Sequence, residues 1–307
     1  MIKNYANGKL LITGEYLILE GAYSLAIPCS KGQQIEYNPD QKSKIIEWKS
    51  YDFTQKLWFS VKYGSDSLNI IETNDQEKAI GLQTILLEAY RLSKTVKLKG
   101  QISTFLDFPN NWGLGSSSTL IVCISKIFQI DPLELHFKTS NGSGYDVACG
   151  YFNKPITYLI NNKKPIVKEI EFEVPFSENI VFIHLNKKQK SENEIIRFKK
   201  QTQNKSININ SISDITSKMI DCQHINLFND LIDEHENIIS FYIDKKPIKT
   251  KLFSDFNGSI KSLGAWGGDF IMASSMDDSF EYFKTKGFDT IIPFHKMIKD
   301  QSSNVDN

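Results

Sequence analysis

Four short stretches of the chain gather residue types suited to phosphate chemistry. The first is Pro109-Asn110-Asn111-Trp112-Gly113-Leu114-Gly115-Ser116-Ser117-Ser118-Thr119. Glycines let the backbone approach a ligand, consecutive amides can point at phosphate oxygens, and a helix N-terminus adds a partial positive charge of about half a unit. A serine N-cap explains one serine, but not three in a row beside two glycines. No Gly-Lys-Ser/Thr follows, so this is not a Walker A loop. The second stretch is Asn141-Gly142-Ser143-Gly144-Tyr145-Asp146-Val147-Ala148. Asp146 can accept a proton from a substrate hydroxyl or orient it, or serve simply as a first-turn helix aspartate. In the third, Asn7-Gly8-Lys9-Leu10-Leu11-Ile12-Thr13-Gly14-Glu15-Tyr16, Lys9 begins a strand and Glu15 sits in the turn leaving it. A lysine there either neutralises developing phosphoryl charge or is an ordinary strand-edge lysine. The fourth, Leu263-Gly264-Ala265-Trp266-Gly267-Gly268-Asp269-Phe270, is a glycine turn that either passes close to a ligand or merely closes a hairpin.

The elements that must position these stretches follow from hydrophobic period. Residues 9–12 and 23–27 read as short strands opening a hairpin or meander. Alternation continues at 56–63 and 100–108, and apolar residues fall at helical spacing over 76–92. Leu120, Ile121, Ile124, Ile127 and Phe128 make an apolar stripe over 116–128, so the first stretch is a glycine turn feeding a helix. The span 186–210 is rich in Lys, Asn and Gln and reads as a polar excursion before helices at 215–222 and 225–239. The end reads strand 259–263, turn 264–268, strand 270–273, helix 277–286, strand 289–292, an α+β half with an antiparallel sheet. A domain boundary is expected within 154–163, giving domains 1–160 and 161–307.

Composition narrows the class. At 307 residues the chain is about twice the usual domain size. Apolar residues make up 40% and charged residues 23%, with 36 of each sign, a balance that suits a globular protein and recruits no nucleic acid. The basic runs 187–190 and 197–200 are interrupted by Glu192 and Glu194 and read as a solvated helix face. No apolar leader and no run of about 20 apolar residues is present, so no membrane partner is expected. Cys29, Cys123, Cys149 and Cys222 lie far apart with no CxxC spacing, as expected of reduced thiols in a cytoplasm. The five histidines have no zinc-ligand spacing, which disfavours a metal hydrolase.

Taken in order, the four stretches resemble the motifs of the GHMP kinases, the family of galactokinase, homoserine kinase, mevalonate kinase and phosphomevalonate kinase. Gly8, Lys9, Gly14 and Glu15 match the first motif, and Gly113 to Ser118 the second. Gly142 to Ala148 match the aspartate segment, and Gly264 to Asp269 the third motif. Gly14-Glu15-Tyr16 is most similar to the phosphomevalonate kinase version, which leans the reading toward a mevalonate-pathway acceptor, mevalonate or phosphomevalonate. The resemblance implies an α+β fold of two domains, an N-terminal ribosomal protein S5 domain 2-like one that binds ATP and a C-terminal ferredoxin-like one. It implies ATP and Mg²⁺ as cofactors and a small-molecule substrate. By the same resemblance, Asp146 and Lys9 are catalytic, and Gly113, Leu114, Gly115, Ser116, Ser117 and Ser118 hold the triphosphate. Ser117 and Glu134 hold magnesium, and Glu15, Tyr16, Gly144, Gly264, Ala265 and Gly267 line the substrate. Trp266 departs from the pattern, standing where the third motif has a glycine. A binding or regulatory protein that keeps the scaffold without the chemistry is the competing class, and the joint presence of Lys9, Ser117 and Asp146 argues against it.

Overall fold

The computed structural model describes residues 1–187, 191–203 and 206–300; Lys188, Gln189 and Lys190 of the basic run lie outside them. The chain divides into two compact units, one of Met1–Gly8, Lys31–Asn110 and Leu114–Asn153, the other of Lys9–Ser30, Asn111–Gly113 and Lys154–Asn307. A single division near residue 160 was expected. The late crossing falls at 153/154, and two earlier segments, 9–30 and 111–113, also belong to the second unit.

Strands β1 (Ile2–Thr13) and β2 (Ser24–Pro39) each contribute residues to both units, and they pair with each other. Both are longer than their apolar runs suggest. Gly32 does not end β2, because the strand's close approach to β1 requires it: a Cβ there would lie 2.2 Å from the Ala6 carbonyl oxygen.

In the first unit β3 (Ile45–Tyr51), β4 (Leu57–Gly64) and β5 (Ile70–Thr73) form a meander. Helix α1 (Gln76–Ser93) then crosses back so that β6 (Gly100–Leu106) lies parallel to β3, with Trp48 opposite Ile102. Asp75 caps α1 by accepting from the Lys78 amide. Helices α2 (Ser116–Phe128), α3 (Pro132–Thr139) and α4 (Tyr145–Phe152) pack on one another and, with α1, enclose a core built around Trp48, Tyr63, Leu86, Ile124 and Phe128.

In the second unit the hairpin of β7 (Ile156–Asn161) and β8 (Lys164–Glu169) turns through Asn162 and Lys163, both at positive φ, the two-residue turn that matches strand twist. Residues Ser24, Leu25 and Ala26 of β2 pair with β7. A separate antiparallel sheet centres on β9 (Ile180–His184). Around it come α5 (Ser191–Thr202), α6 (Ile209–Ile220), α7 (Ile225–Ile243) and α8 (Ile248–Leu252), then β10 (Ser259–Ser262), β11 (Phe270–Ser274), α9 (Ser279–Thr285), β12 (Ile291–Pro293) and α10 (Phe294–Met297). The strand order is β10-β11-β9-β12. Helix α5 lies within the polar excursion and carries the second of the basic runs read as a solvated helix face, with Phe198 as a deeply buried aromatic on its other side. All four cysteines are buried thiols.

Candidate functional site

The glycine-serine stretch is a turn feeding α2, as its sequence implies. Gly115 occupies the N-cap in the left-handed region at φ 90, and no side chain caps the helix, so its first-turn amides receive no side-chain cap. Such an end is a ready anion site. Ser118 folds inward and donates its hydroxyl to the Gly115 carbonyl at 2.8 Å, Leu114 is fully buried, and Ser117 is exposed. Thr119 ties the helix start to β2 through Gln33 at 2.8 Å.

Within the second unit the same loop is held by groups far away in sequence. Lys9 Nζ donates to the Gly113 carbonyl oxygen at 3.3 Å, which sets a cation on the loop. Gly113 has φ 68, and a Cβ there would sit 2.5 Å from the Asp269 carboxyl carbon, so only glycine fits. Trp112 packs edge-on against Phe270, ring centroids 5.3 Å apart, and His184 Nε2 lies 3.2 Å from the Asn111 carbonyl oxygen. Asp269 and Phe270 follow the third-motif turn, so Gly113, the first residue of the second motif, shares a unit with the third. His184 had no role in the sequence reading. A histidine ending a wholly buried strand was the available signal.

Asp146 lies in the first turn of α4, half-buried, its Oδ1 accepting from the Val147 amide at 3.0 Å. Gly144 is the N-cap at φ 83, close against Leu133, His136 and Phe137 of α3. Glu134 is exposed at the third position of α3 behind the Asp131 N-cap, whose carboxylate accepts from the Leu133 and Glu134 amides, the layout of a capping box. Among the described residues no group of three or more His, Cys, Asp or Glu is arranged to hold a metal.

Glu15 and Tyr16, expected at the substrate, sit in the interior of the second unit. Glu15 is 1% exposed, its Oε1 2.7 Å from Lys261 Nζ and its Oε2 3.2 Å from His235 Nε2. Lys261, itself fully buried in β10, also faces Glu236 at 3.4 Å, and Glu236 accepts from the Ser262 hydroxyl at 2.9 Å. The Gly14 amide donates to His235 Nε2 at 3.0 Å, which puts the ring proton on Nδ1 and leaves Glu15 Oε2 without a hydrogen bond. Burial pushes the Glu15 carboxyl up, yet the Lys261 ammonium 2.7 Å away outweighs it and holds it below its ordinary value. Burial raises Glu236 to about 7, against the pull of Lys261. Burial and Lys261 lower His235 to about 4. Tyr16 stacks on Phe198, centroids 5.4 Å apart. In the third-motif turn Gly264 borders open space, Gly267 is half-buried, and Ala265 and Trp266 are buried.

No protein-family model and no curated protein matches the chain. Solved structures do. A Listeria innocua protein, Lin0012, aligns over 95% of this chain and 97% of its own at TM-score 0.72 and 16% identity. Methanococcus jannaschii mevalonate kinase aligns over 95% and 96%, at TM-score 0.69 and 13% identity. Streptococcus pneumoniae phosphomevalonate kinase, in complex with phosphomevalonate and AMPPNP, aligns over 95% and 100%, at TM-score 0.69 and 15% identity. A galactokinase complexed with galactose and a D-glycero-D-manno-heptose 1-phosphate kinase share the fold as well. The chain thus has the GHMP kinase fold, α+β and of two domains, and that fold serves acceptors of several kinds.

Proposed function

We propose that the protein transfers the γ-phosphoryl group of ATP to a small metabolite, and that the acceptor is mevalonate or phosphomevalonate. The observation that carries the reading is the loop itself. A left-handed glycine pair leads into a helix with no side-chain cap, and a lysine rests on the loop carbonyl, in a chain whose fold is that of ATP-dependent kinases. Phosphoryl transfer asks the protein mainly to position its reactants and to neutralise charge spread over the phosphoryl oxygens.

In this reading the amides of Gly115, Ser116 and Ser117 hold phosphate oxygens, with Gly113, Leu114 and Ser118 shaping the loop. Lys9 places its charge beside the loop. The Ser117 hydroxyl, with Glu134 as a further candidate ligand, would hold a magnesium ion, which would supply neutralisation of phosphate charge. Asp146 accepts the proton of an acceptor hydroxyl as that oxygen bonds to the γ-phosphorus and the bond to the ADP oxygen breaks. If the acceptor is already a phosphate monoester, its oxygen is largely ionised and Asp146 orients it. Tyr16, Gly144, Gly264, Ala265 and Gly267 are the candidate acceptor contacts, and Glu15 supports the Tyr16 turn from the interior. The lean toward a mevalonate-pathway acceptor rests on Gly14-Glu15-Tyr16 and is supported by the fold shared with mevalonate and phosphomevalonate kinases. Among the described residues no helix is long and apolar enough to cross a membrane.

The test is ADP release from Mg-ATP in the presence of mevalonate, phosphomevalonate, homoserine or galactose. Turnover on one of the first two supports the full reading, turnover only on another acceptor retains the kinase and removes the pathway, and nucleotide binding without any turnover favours the scaffold that has lost its chemistry.

A further inference from the structure

The loop residues just before Leu114 each meet a different group at one end of the β9–β11 pair. His184 closes β9 and Phe270 opens β11, opposite one another in the ladder. Asn111 sets its carbonyl oxygen 3.2 Å from His184 Nε2, and Trp112 stands edge-on to Phe270. The Gly113 backbone lies against the Asp269 carboxylate, where a Cβ would come within 2.6 Å of Oδ2. All of these residues belong to the second unit, which takes in Asn111–Gly113.

His184 is built as an anchor. It is 2% exposed, and its ring rests 5.1 Å from that of Phe270. The Asn186 amide donates to Nδ1 at 3.3 Å, so the ring proton sits on Nε2 and is donated to the Asn111 carbonyl. Both ring nitrogens are thereby used, and the tautomer is fixed. The facing strand is shaped to match. Asp269 holds φ 52, uncommon for a residue with a side chain, and is pinned there by its amide donating to the Lys187 carbonyl at 2.6 Å and its carbonyl accepting from the Leu185 amide at 2.8 Å.

The loop needs such a hold. Gly113 and Gly115 sit at φ 68 and φ 90, and glycine loses more backbone freedom on ordering than any other residue. No side chain caps the helix that follows. A loop fixed before its ligand arrives spares binding that ordering cost. We infer that His184 is a positioning residue for the nucleotide loop: through the Asn111 carbonyl it holds residues 111–113 in the form that presents the Gly115, Ser116 and Ser117 amides to phosphate. The word nucleotide rests on the kinase reading above. The hold on the loop does not.

The test compares wild type, His184→Phe and His184→Gln by amide exchange without ligand and by calorimetry with Mg-AMPPNP. Phenylalanine keeps an aromatic ring against Phe270 and removes the donor, whereas glutamine keeps an N–H at about the reach of Nε2. Expected in His184→Phe are exchange over residues 110–115 faster by roughly tenfold and AMPPNP affinity lower by roughly tenfold, with exchange in α7 as in wild type. His184→Gln should restore both to within about threefold of wild type. If His184→Phe does not fold, His184→Asn, whose amide reaches only as far as Nδ1, takes its place with the same expectations. The inference is overturned if either quantity stays within twofold of wild type in the donor-free variant. It is equally overturned if His184→Gln is as impaired as that variant, because ring packing and not the donor would then hold the loop. Absence of AMPPNP binding by wild type removes the kinase reading separately, and exchange then judges the hold alone: faster rates retain it, unchanged rates overturn it.

Discussion

Replacing Lys261 by Met removes the ammonium that faces both Glu15 and Glu236 in the buried cluster, and the structure sets the size of the effect. Lys261 contacts Glu15 at 2.7 Å and Glu236 at 3.4 Å, and all three side chains are at most 3% exposed. Breaking a buried pair by removing one partner typically costs about 3–5 kcal/mol, because the remaining charge is stranded away from water. His235 cannot take over, since burial keeps it neutral down to about pH 4. Urea denaturation at pH 8 should therefore show Lys261→Met destabilised by roughly 3–5 kcal/mol. The loss should shrink at pH 5, where the stranded carboxylates can protonate instead. Adding Glu15→Gln should recover part of it, since one stranded charge is then gone. A Lys261→Met protein within about 1 kcal/mol of wild type at pH 8, or a loss independent of pH, would refute the assignment of a charged interior cluster.

Three further outcomes follow from the same geometry. Glu236, raised from 4.5 to about 7, binds its proton more tightly folded than unfolded, so its contribution to stability is present below about pH 4.5 and lost as pH climbs through 7. Each tenfold is about 1.4 kcal/mol, so Glu236→Gln should remove a fall of roughly 3 kcal/mol between pH 5 and 8.5, read from denaturation midpoints at each pH. Gly113→Ala drives a Cβ into the Asp269 carboxylate at positive φ. AMPPNP affinity should fall roughly tenfold or more, and an unchanged affinity in calorimetry would remove the loop from the nucleotide site. Trp112→Ala removes the edge contact to Phe270 and should speed amide exchange over residues 110–115 while leaving exchange in α1 as it was.

Much of the site could be read from local spacing. The turn before α2 announces itself because three serines follow two glycines at the head of an apolar stripe, and the β10-turn-β11 unit because glycines cluster between two short apolar runs. What local pattern cannot supply is a partner 246 residues away, the separation of Glu15 and Lys261. One trace of the cluster was nevertheless present. In α7 the buried stripe Phe228, Leu231, Ile232, His235, Glu236 and Ile239 carries two ionisable residues at core positions, which requires buried partners somewhere in the fold. Helix α5 was legible only as a solvated helix face within a polar stretch, since among its described side chains the buried ones are Phe198 and Thr202. Glu134 has a sufficient local explanation in its capping-box position, so spacing alone assigns it no metal.

Coupled ADP release set beside AMPPNP binding, for wild type and Asp146→Ala in parallel, decides whether the chain is a kinase that works through Asp146. A group that takes or orients the acceptor's proton contributes about 10²–10⁴-fold to rate and little to nucleotide affinity. Expected are turnover by wild type on mevalonate or phosphomevalonate, a loss of at least roughly a hundredfold in Asp146→Ala, and AMPPNP affinity unchanged within about twofold. Turnover in Asp146→Ala equal to wild type would contradict the assigned role, and a wild-type protein that neither binds AMPPNP nor releases ADP would contradict the kinase reading itself.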